Sequence, residues 1–242
     1  MLDISSPGKS LDKNKHMCLV LDAKSARAWV YILKRKSHMP GEVMRLIQQL
    51  KTRYQMTVKI IRCDGGGENF KLRKICEKEG LNIEFEFTAP NTPQHNGRVE
   101  RRLANIYKRI RAMMAESGLS LDDFKLLWPY AVKLVVAMDN ALTRKSGAKS
   151  PDEVFFGDTI SLPTTLTDVP PQRIFGEVCV AADRTKLKSK LSNRGKKCLW
   201  IGSAPDHSEH THLLFNLETK KVILSQAKRL QFDCATRARR DH

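Results

Sequence analysis

The sequence predicts an α/β domain built on a mixed sheet, followed by a small all-β domain. Three observations predict it. Through residue 157, apolar runs of strand length alternate with runs of helical period. Residues 158–173 then turn to turn-forming types, with Pro170-Pro171 among them, as a linker does. Beyond them, short β-branched and aromatic runs follow at close spacing, the pattern of a small barrel or sandwich.

The elements follow in order. Asp3 sits on a first short strand in this reading. Residues 16–22 (HMCLVLD) and 27–33 (RAWVYIL) form a hairpin across the polar turn AKSA. Val43, Leu46, Ile47, Leu50 and Tyr54 recur at helical spacing, with Pro40 near the start. Residues 57–63 form a strand that runs into the glycine-rich turn at Asp64, and a short helix over 70–79 ends at Gly80. Residues 82–87 (NIEFEF) give the fifth strand of a mixed sheet. After the loop TAPNTPQHNG come long helices over 98–116 and 121–142, the second bent by Pro129. Ser150-Pro151-Asp152-Glu153 predicts a capping box. The first domain therefore covers 1–157. The second covers 174–233, with strands near 174–182, 196–203, 212–217, 220–225 and 227–232 and a turn at Glu218-Thr219-Lys220. Residues 234–242 are expected to be a disordered basic tail.

Charge narrows the partner. The 242 residues carry a formal net charge of +17, spread over both domains: 28 basic and 17 acidic side chains in 1–157, 15 and 9 in 158–242. Such an excess implies a polyanion, most often nucleic acid. No run approaches a membrane span, and charge begins at Asp3, so neither a membrane anchor nor a signal peptide is expected. The six cysteines form no CxxC pair, which reads as reduced thiols. His207, His210 and His212 lie close together; a polar loop is the simpler reading than a metal site.

The chemistry rests on three acids: Asp3, Asp64 and Glu100, with 35 residues between the last two, positions 65–99. Singly, each reads as an ordinary solvated charge. Context changes that. Asp64 ends an apolar strand before three glycines, which let the backbone approach a ligand closely. Glu100 opens a helix whose buried stripe is Val99, Leu103, Ile106, Ile110 and Met113, and lies on the stripe's flank. Carboxylates converging without a cation would repel unless divalent ions sit between them, and Mg²⁺ prefers such oxygens. Arg98, Arg101, Arg102, Lys108, Arg109 and Arg111 make the same helix strongly basic. They read either as a solvated face or as a track for DNA phosphates.

LDISSP, IRCDGGGEN and TAPNTPQHNGRVERR together resemble the integrase of copia-type long-terminal-repeat retrotransposons. LDAKSARAWVYILKRKS, KSPDEVFFG, RIFGEVCV and KKCLWIGS extend the resemblance over almost all of residues 2–233. It implies an RNase H-like core with Asp3, Asp64 and Glu100 as catalytic residues and metal ligands, followed by an SH3-like β-barrel. It also implies two Mg²⁺ (or Mn²⁺) ions flanking the scissile phosphate. Gln94, His95 and Asn96 occupy the family's loop before the catalytic helix, where they either position DNA or shape the loop. The implied partners are double-stranded DNA, as element ends and as target, and further copies of the chain. The implied location is the nucleus, or else a cytoplasmic particle.

The sequence also departs from the family. Gly65 stands where an asparagine is usual, and only Met1 and Leu2 precede Asp3, short for a strand presenting a catalytic side chain. The expectation is a piece of a polyprotein or a decayed copy. An active integrase, a DNA-binding remnant without catalysis, and a nuclease of RNA–DNA hybrids all remain open.

Overall fold

The computed structural model describes residues 1–88, 97–117, 119–143, 148–157, 173–182, 195–204, 207 and 211–226, and the backbone of 230–232. The chain divides into two compact units, Met1–Arg109 with Val135–Leu162, and Ile110–Leu134 with Pro163–His242.

In the first unit, β1 (Leu2–Ser5), β2 (His16–Leu21) and β3 (Ala28–Leu33) form an antiparallel sheet in the order β1-β2-β3. Met17, Cys18 and Leu19 of β2 are wholly buried, as suits a central strand of apolar and β-branched residues. Helix α1 (Met39–Tyr54) begins with Pro40 in its first turn and ends at Gln55 in the left-handed conformation. Then come β4 (Ile60–Cys63), α2 (Gly67–Lys78) and β5 (Glu84–Phe87), with β4 and β5 paired in parallel. The core joins Leu2, Cys18, Leu33, Val43, Ile47, Ile61, Cys63 and Leu72.

The five expected strands are present and mixed in direction, but they do not form one continuous ladder. They hydrogen-bond as three plus two, and β1 touches β4 without pairing to it. Strands of four residues offer few backbone groups to a shared ladder.

Helix α3 spans Gly97–Ser117 and α4 spans Leu121–Ala141, running through Pro129. Val99, Leu103, Ile106 and Ile110 of the expected stripe are buried. Near the end of α4, the Asn140 side chain stands in for a neighbouring strand beside β3. Its Oδ1 accepts from Ala28 N at 2.9 Å and its Nδ2 donates to Ala28 O at 2.7 Å. Helix α5 (Pro151–Phe156) has the expected capping box: Glu153 N donates to Ser150 Oγ at 3.2 Å, and Ser150 N to Glu153 Oε2 at 2.5 Å.

In the second unit, β6 (Val178–Ala182), β7 (Gly195–Ser203), β8 (Thr211–Asn216), β9 (Lys221–Gln226) and β10 (Leu230–Phe232) form an antiparallel sheet in the order β10-β6-β7-β8-β9. A bulge falls between Trp200 and Gly202. Asn216 Oδ1 accepts from Glu218 N and Thr219 N at 2.9 and 3.0 Å, which builds the turn expected there. Leu134 packs on the sheet's core of Cys179, Ala181, Cys198, Trp200 and Leu214. Residues 173–177 precede β6 as a turn rather than opening it: Gly176 adopts φ +82° and donates its N–H to Trp200 O at 2.8 Å.

Cys18, Cys63, Cys76, Cys179 and Cys198 are free and buried; Cys234 lies outside the described residues. Burial pushes the Cys18 thiol up to about 12, an inert thiol. His212 is a buried strand residue rather than part of a loop, and Trp200 Nε1 donates to its Nδ1 at 3.3 Å. His207 is exposed and His210 lies outside the described residues. Among the described residues no helix is long and apolar enough to cross a membrane.

Candidate active site

Alternation along β1 buries Leu2 and places Asp3 and Ser5 on the opposite face. Register with β2 pairs Asp3 with Leu19, and Ile4 N donates to Asp3 Oδ1 at 2.7 Å. Ser5 is tied to α3 by a 2.6 Å hydrogen bond with the Tyr107 hydroxyl. Tyr107 lies two turns beyond Glu100, so both project from one face of α3. The face that anchors α3 to β1 therefore also carries the acid.

Asp64 follows β4 directly, at the carboxyl ends of the parallel pair β4–β5, where an open α/β sheet presents its crevice. Its carboxylate is held. Asn69 Nδ2 donates to Asp64 Oδ1 at 2.5 Å and to Asp64 O at 3.2 Å, and Gly66 N donates to the same Oδ1 at 3.1 Å. Asn69 is buried, at 3% exposure, so its amide is well constrained. A Cβ at Gly66 would come within 3.0 Å of Asp64 Oδ1, and the close approach explains that glycine.

Electrostatics joins the three acids. The Asp3 carboxyl lies above its ordinary range, first because it is desolvated and then because it faces Asp64 and Glu100. The Ile4 N–H and the Lys36 ammonium pull in the other direction. Asp64 and Glu100 themselves are exposed. Among the described residues, no three His, Cys, Asp or Glu side chains converge closely enough to hold a metal ion. Their like charges repel one another.

The basic helix divides. Arg98, Arg101, Lys108 and, further along, Arg111 are exposed, as a phosphate track requires. Arg102 is not: it is 7% exposed and its Nη1 lies 3.0 Å from Asp139 Oδ2 on α4. Arg109 pairs with the other oxygen of Asp139. The expectation that Arg102 contacts DNA is corrected, because position 102 falls on the buried side of the helix, beside Leu103 and Ile106. Gln94, His95 and Asn96 lie outside the described residues. A cavity of about 450 Å³ opens in this unit between Leu21, Trp29, Leu46, Leu50 and Phe155, but none of the three acids lines it.

Sequence reading missed Asn69, Tyr107 and Lys36. Tyr107 was findable at seven residues from Glu100. Asn69 was findable too, five residues from Asp64, whereas Lys36 was not, since only the fold sets it where it acts on Asp3.

No family model matches the chain. Relatives do. The retrovirus-related Pol polyprotein from transposon RE1 of Arabidopsis thaliana is 26% identical over 231 residues, covering 95% of this chain and 15% of the relative. That from transposon RE2 of the same plant is 27% identical over 235 residues, with the same coverage. That from transposon TNT 1-94 of Nicotiana tabacum is 27% identical over 221 residues, covering 90% of this chain and 16% of the relative. The chain is a homologue of copia-type retrotransposon Pol polyproteins. This Pol homologue spans about 15% of the length of the curated relatives it matches. Among solved structures, it is similar to a chain of the cryo-electron-microscopy structure of the simian T-cell lymphotropic virus intasome in complex with PP2A regulatory subunit B56 gamma. That likeness has a TM-score of 0.49 and 15% identity, and covers 96% of this chain and 76% of the other.

Proposed function

We propose that this Pol segment is an integrase that processes the 3′ ends of element DNA and joins them to target DNA. The observation that carries the reading is the half-buried Asp3, held on β1 by its pairing with β2 and subject to the charges of Asp64 and Glu100. In this reading residues 1–157 are an RNase H-like core, 158–173 a linker, 174–233 an SH3-like barrel and 234–242 a tail.

The donor set fits Mg²⁺ or Mn²⁺, because all three candidate ligands are hard carboxylate oxygens and the desolvated one lies among like charges. Of the Asp64 carboxylate, Asn69 and Gly66 engage Oδ1, and among the described residues no hydrogen bond is found to Oδ2. Two bound ions would supply Lewis-acid activation of the attacking oxygen and charge neutralisation at the leaving oxygen. Asp3, Asp64 and Glu100 would hold them, and Asn69 would keep the Asp64 carboxylate in one rotamer. Gln94, His95, Asn96, Arg98, Arg101, Lys108 and Arg111 would bind the DNA backbone. In processing, the oxygen of water bonds to phosphorus as the bond to the 3′ oxygen breaks. In joining, the freed 3′ hydroxyl attacks a target phosphate in the same way. Duplex ends and target are the partners, several copies of the chain would bring two ends together, and the nucleus is the site of action.

Strand transfer on duplex oligonucleotides with Mg²⁺ or Mn²⁺ tests this, with Glu100→Gln beside the parent. Joined products that vanish in the variant are expected. Salt-sensitive DNA binding with no products from either protein would overturn catalysis. It would favour a nucleic-acid-binding remnant.

A further inference from the structure

Some cations of the first unit are paired within it. Arg45 pairs with Glu42 at 2.7 Å, Arg62 with Glu86 at 2.6 Å and Arg73 with Glu77 at 2.7 Å. At one end of the β2–β3 hairpin no ion pair is found among the described residues. Lys13, Lys15, Lys34, Arg35 and Lys36 are all exposed there, and Asp12 is the only acid within residues 9–16 and 33–38.

The backbone gathers these five. The β2–β3 ladder ends on the pair His16–Leu33, and Lys15 N still donates to Leu33 O at 3.0 Å, which sets Lys15 beside Lys34. A turn closed by Lys13 N to Ser10 O at 3.0 Å and Ser10 N to Asn14 O at 2.8 Å places Lys13 just before them, at φ +61°. Lys36 opens the 3₁₀ turn Lys36–His38 that follows β3. Like charges set beside each other across a hairpin destabilise it, so this arrangement costs the fold some stability.

Strand β1 finishes at the same end of the sheet, with Ser5 opposite Met17 and Asp3 two residues earlier. Lys36 acts electrostatically on Asp3 of β1 and, with Lys15, on His16 of β2. Ser6 Oγ, just past β1, lies 2.7 Å from His16 Nδ1, which binds that stretch to the hairpin end. The cationic patch thus lies at the end of the sheet where β1 finishes, flanking β2 and β3 rather than on α3.

We infer that Lys13, Lys15, Lys34, Arg35 and Lys36 form a second phosphate-binding surface, which grips the backbone of duplex DNA flanking the phosphate presented to Asp3, Asp64 and Glu100. A strand passing the carboxylates needs cations on both sides of them, to offset its own repulsion from the acids and to set its register. Helix α3 supplies one side and the hairpin end the other. This inference rests on the integrase reading.

The experiment is fluorescence anisotropy with a labelled 30-base-pair duplex, on the full chain, across a salt series. One variant combines Lys15→Gln, Lys34→Gln and Lys36→Gln. A control of equal charge change combines Lys71→Gln, Lys74→Gln and Lys78→Gln on the exposed face of α2. All six side chains are exposed, and unchanged melting temperatures verify folding. The expected result is a salt slope reduced by about 2 to 3 in the hairpin variant, with binding weakened roughly tenfold or more, and a much smaller change in the control. Equal losses in both variants, or no loss in the hairpin variant, would overturn the surface while leaving the integrase reading standing. Tighter binding of a single-stranded RNA with the same loss would overturn the commitment to duplex DNA. Failure of the parent to bind duplex DNA would overturn the integrase reading itself.

Discussion

Two groups of charges in the first unit are built from similar side chains and behave as opposites. On one side of α3, Arg102 and Arg109 close on Asp139, with Arg102 and Asp139 both nearly excluded from water. On another, Asp3 faces Asp64 and Glu100, with a single opposing cation, Lys36, among the groups acting on it. Paired charges of the first kind hold helices together. Like charges of the second kind weaken the fold that holds them, and they persist where a ligand completes the set. Burial alone does not separate the two, since Arg102 is more buried than any of the three acids. Whether the partners are present inside the chain does.

The largest effect expected from breaking this contrast is at Asp139. Asp139→Ala leaves Arg102 buried without its carboxylate and should cost about 3–5 kcal/mol in chemical denaturation. A cost below about 1 kcal/mol would show that the pair is solvated and that the two groups differ less than their geometry implies.

Asn69 is the next test, because it stands at the boundary between structure and chemistry. Asn69→Ala removes a charge-assisted hydrogen bond and should cost about 1.5–3 kcal/mol. It should also weaken Mn²⁺ binding, read by calorimetry, roughly 10- to 100-fold. A loss of stability with unchanged ion affinity would make Asn69 purely structural.

The smallest effect has the opposite sign. Burial and the neighbouring Asp64 and Glu100 raise the Asp3 carboxyl above its value of 3.8, against the Ile4 N–H and Lys36. The folded state therefore favours protonated Asp3. Its contribution is fully present below 3.8 and is lost as pH rises through the folded value. Asp3→Asn should melt above the parent at pH 7 without divalent ions, and level with it near pH 3. Adding Mg²⁺ should raise the parent's melting temperature and not the variant's. A variant less stable than the parent at pH 7 would mean that the acids do not repel as described.

The paired cluster and the like-charged one differed in how legible they were. Asp3, Asp64 and Glu100 announced themselves through local signals: a strand ending in glycines, a fixed spacing, a basic helix. Arg102 carried the same local signal as Arg98 and Arg101 and reads identically in sequence, yet it faces inward. Helical period alone placed it close enough to the stripe to go either way, and Asp139, thirty-seven positions on, settled the matter. The cations at 13–15 and 34–36 looked like scattered surface charge until the hairpin register set them side by side.

What the sequence determined by itself was the set of elements, because periodicity, capping residues and turn chemistry are local. The strands, the main helices and the capping box at Ser150 all lie close to where the pattern put them. The tertiary structure alone decided which charges find partners. It turned Arg102 to Asp139, split the sheet into three strands and two, and set Lys36 where it acts on Asp3. Those outcomes depend on distances between segments far apart in the chain. Coulombic and hydrogen-bond energies follow such distances, and no local pattern encodes them.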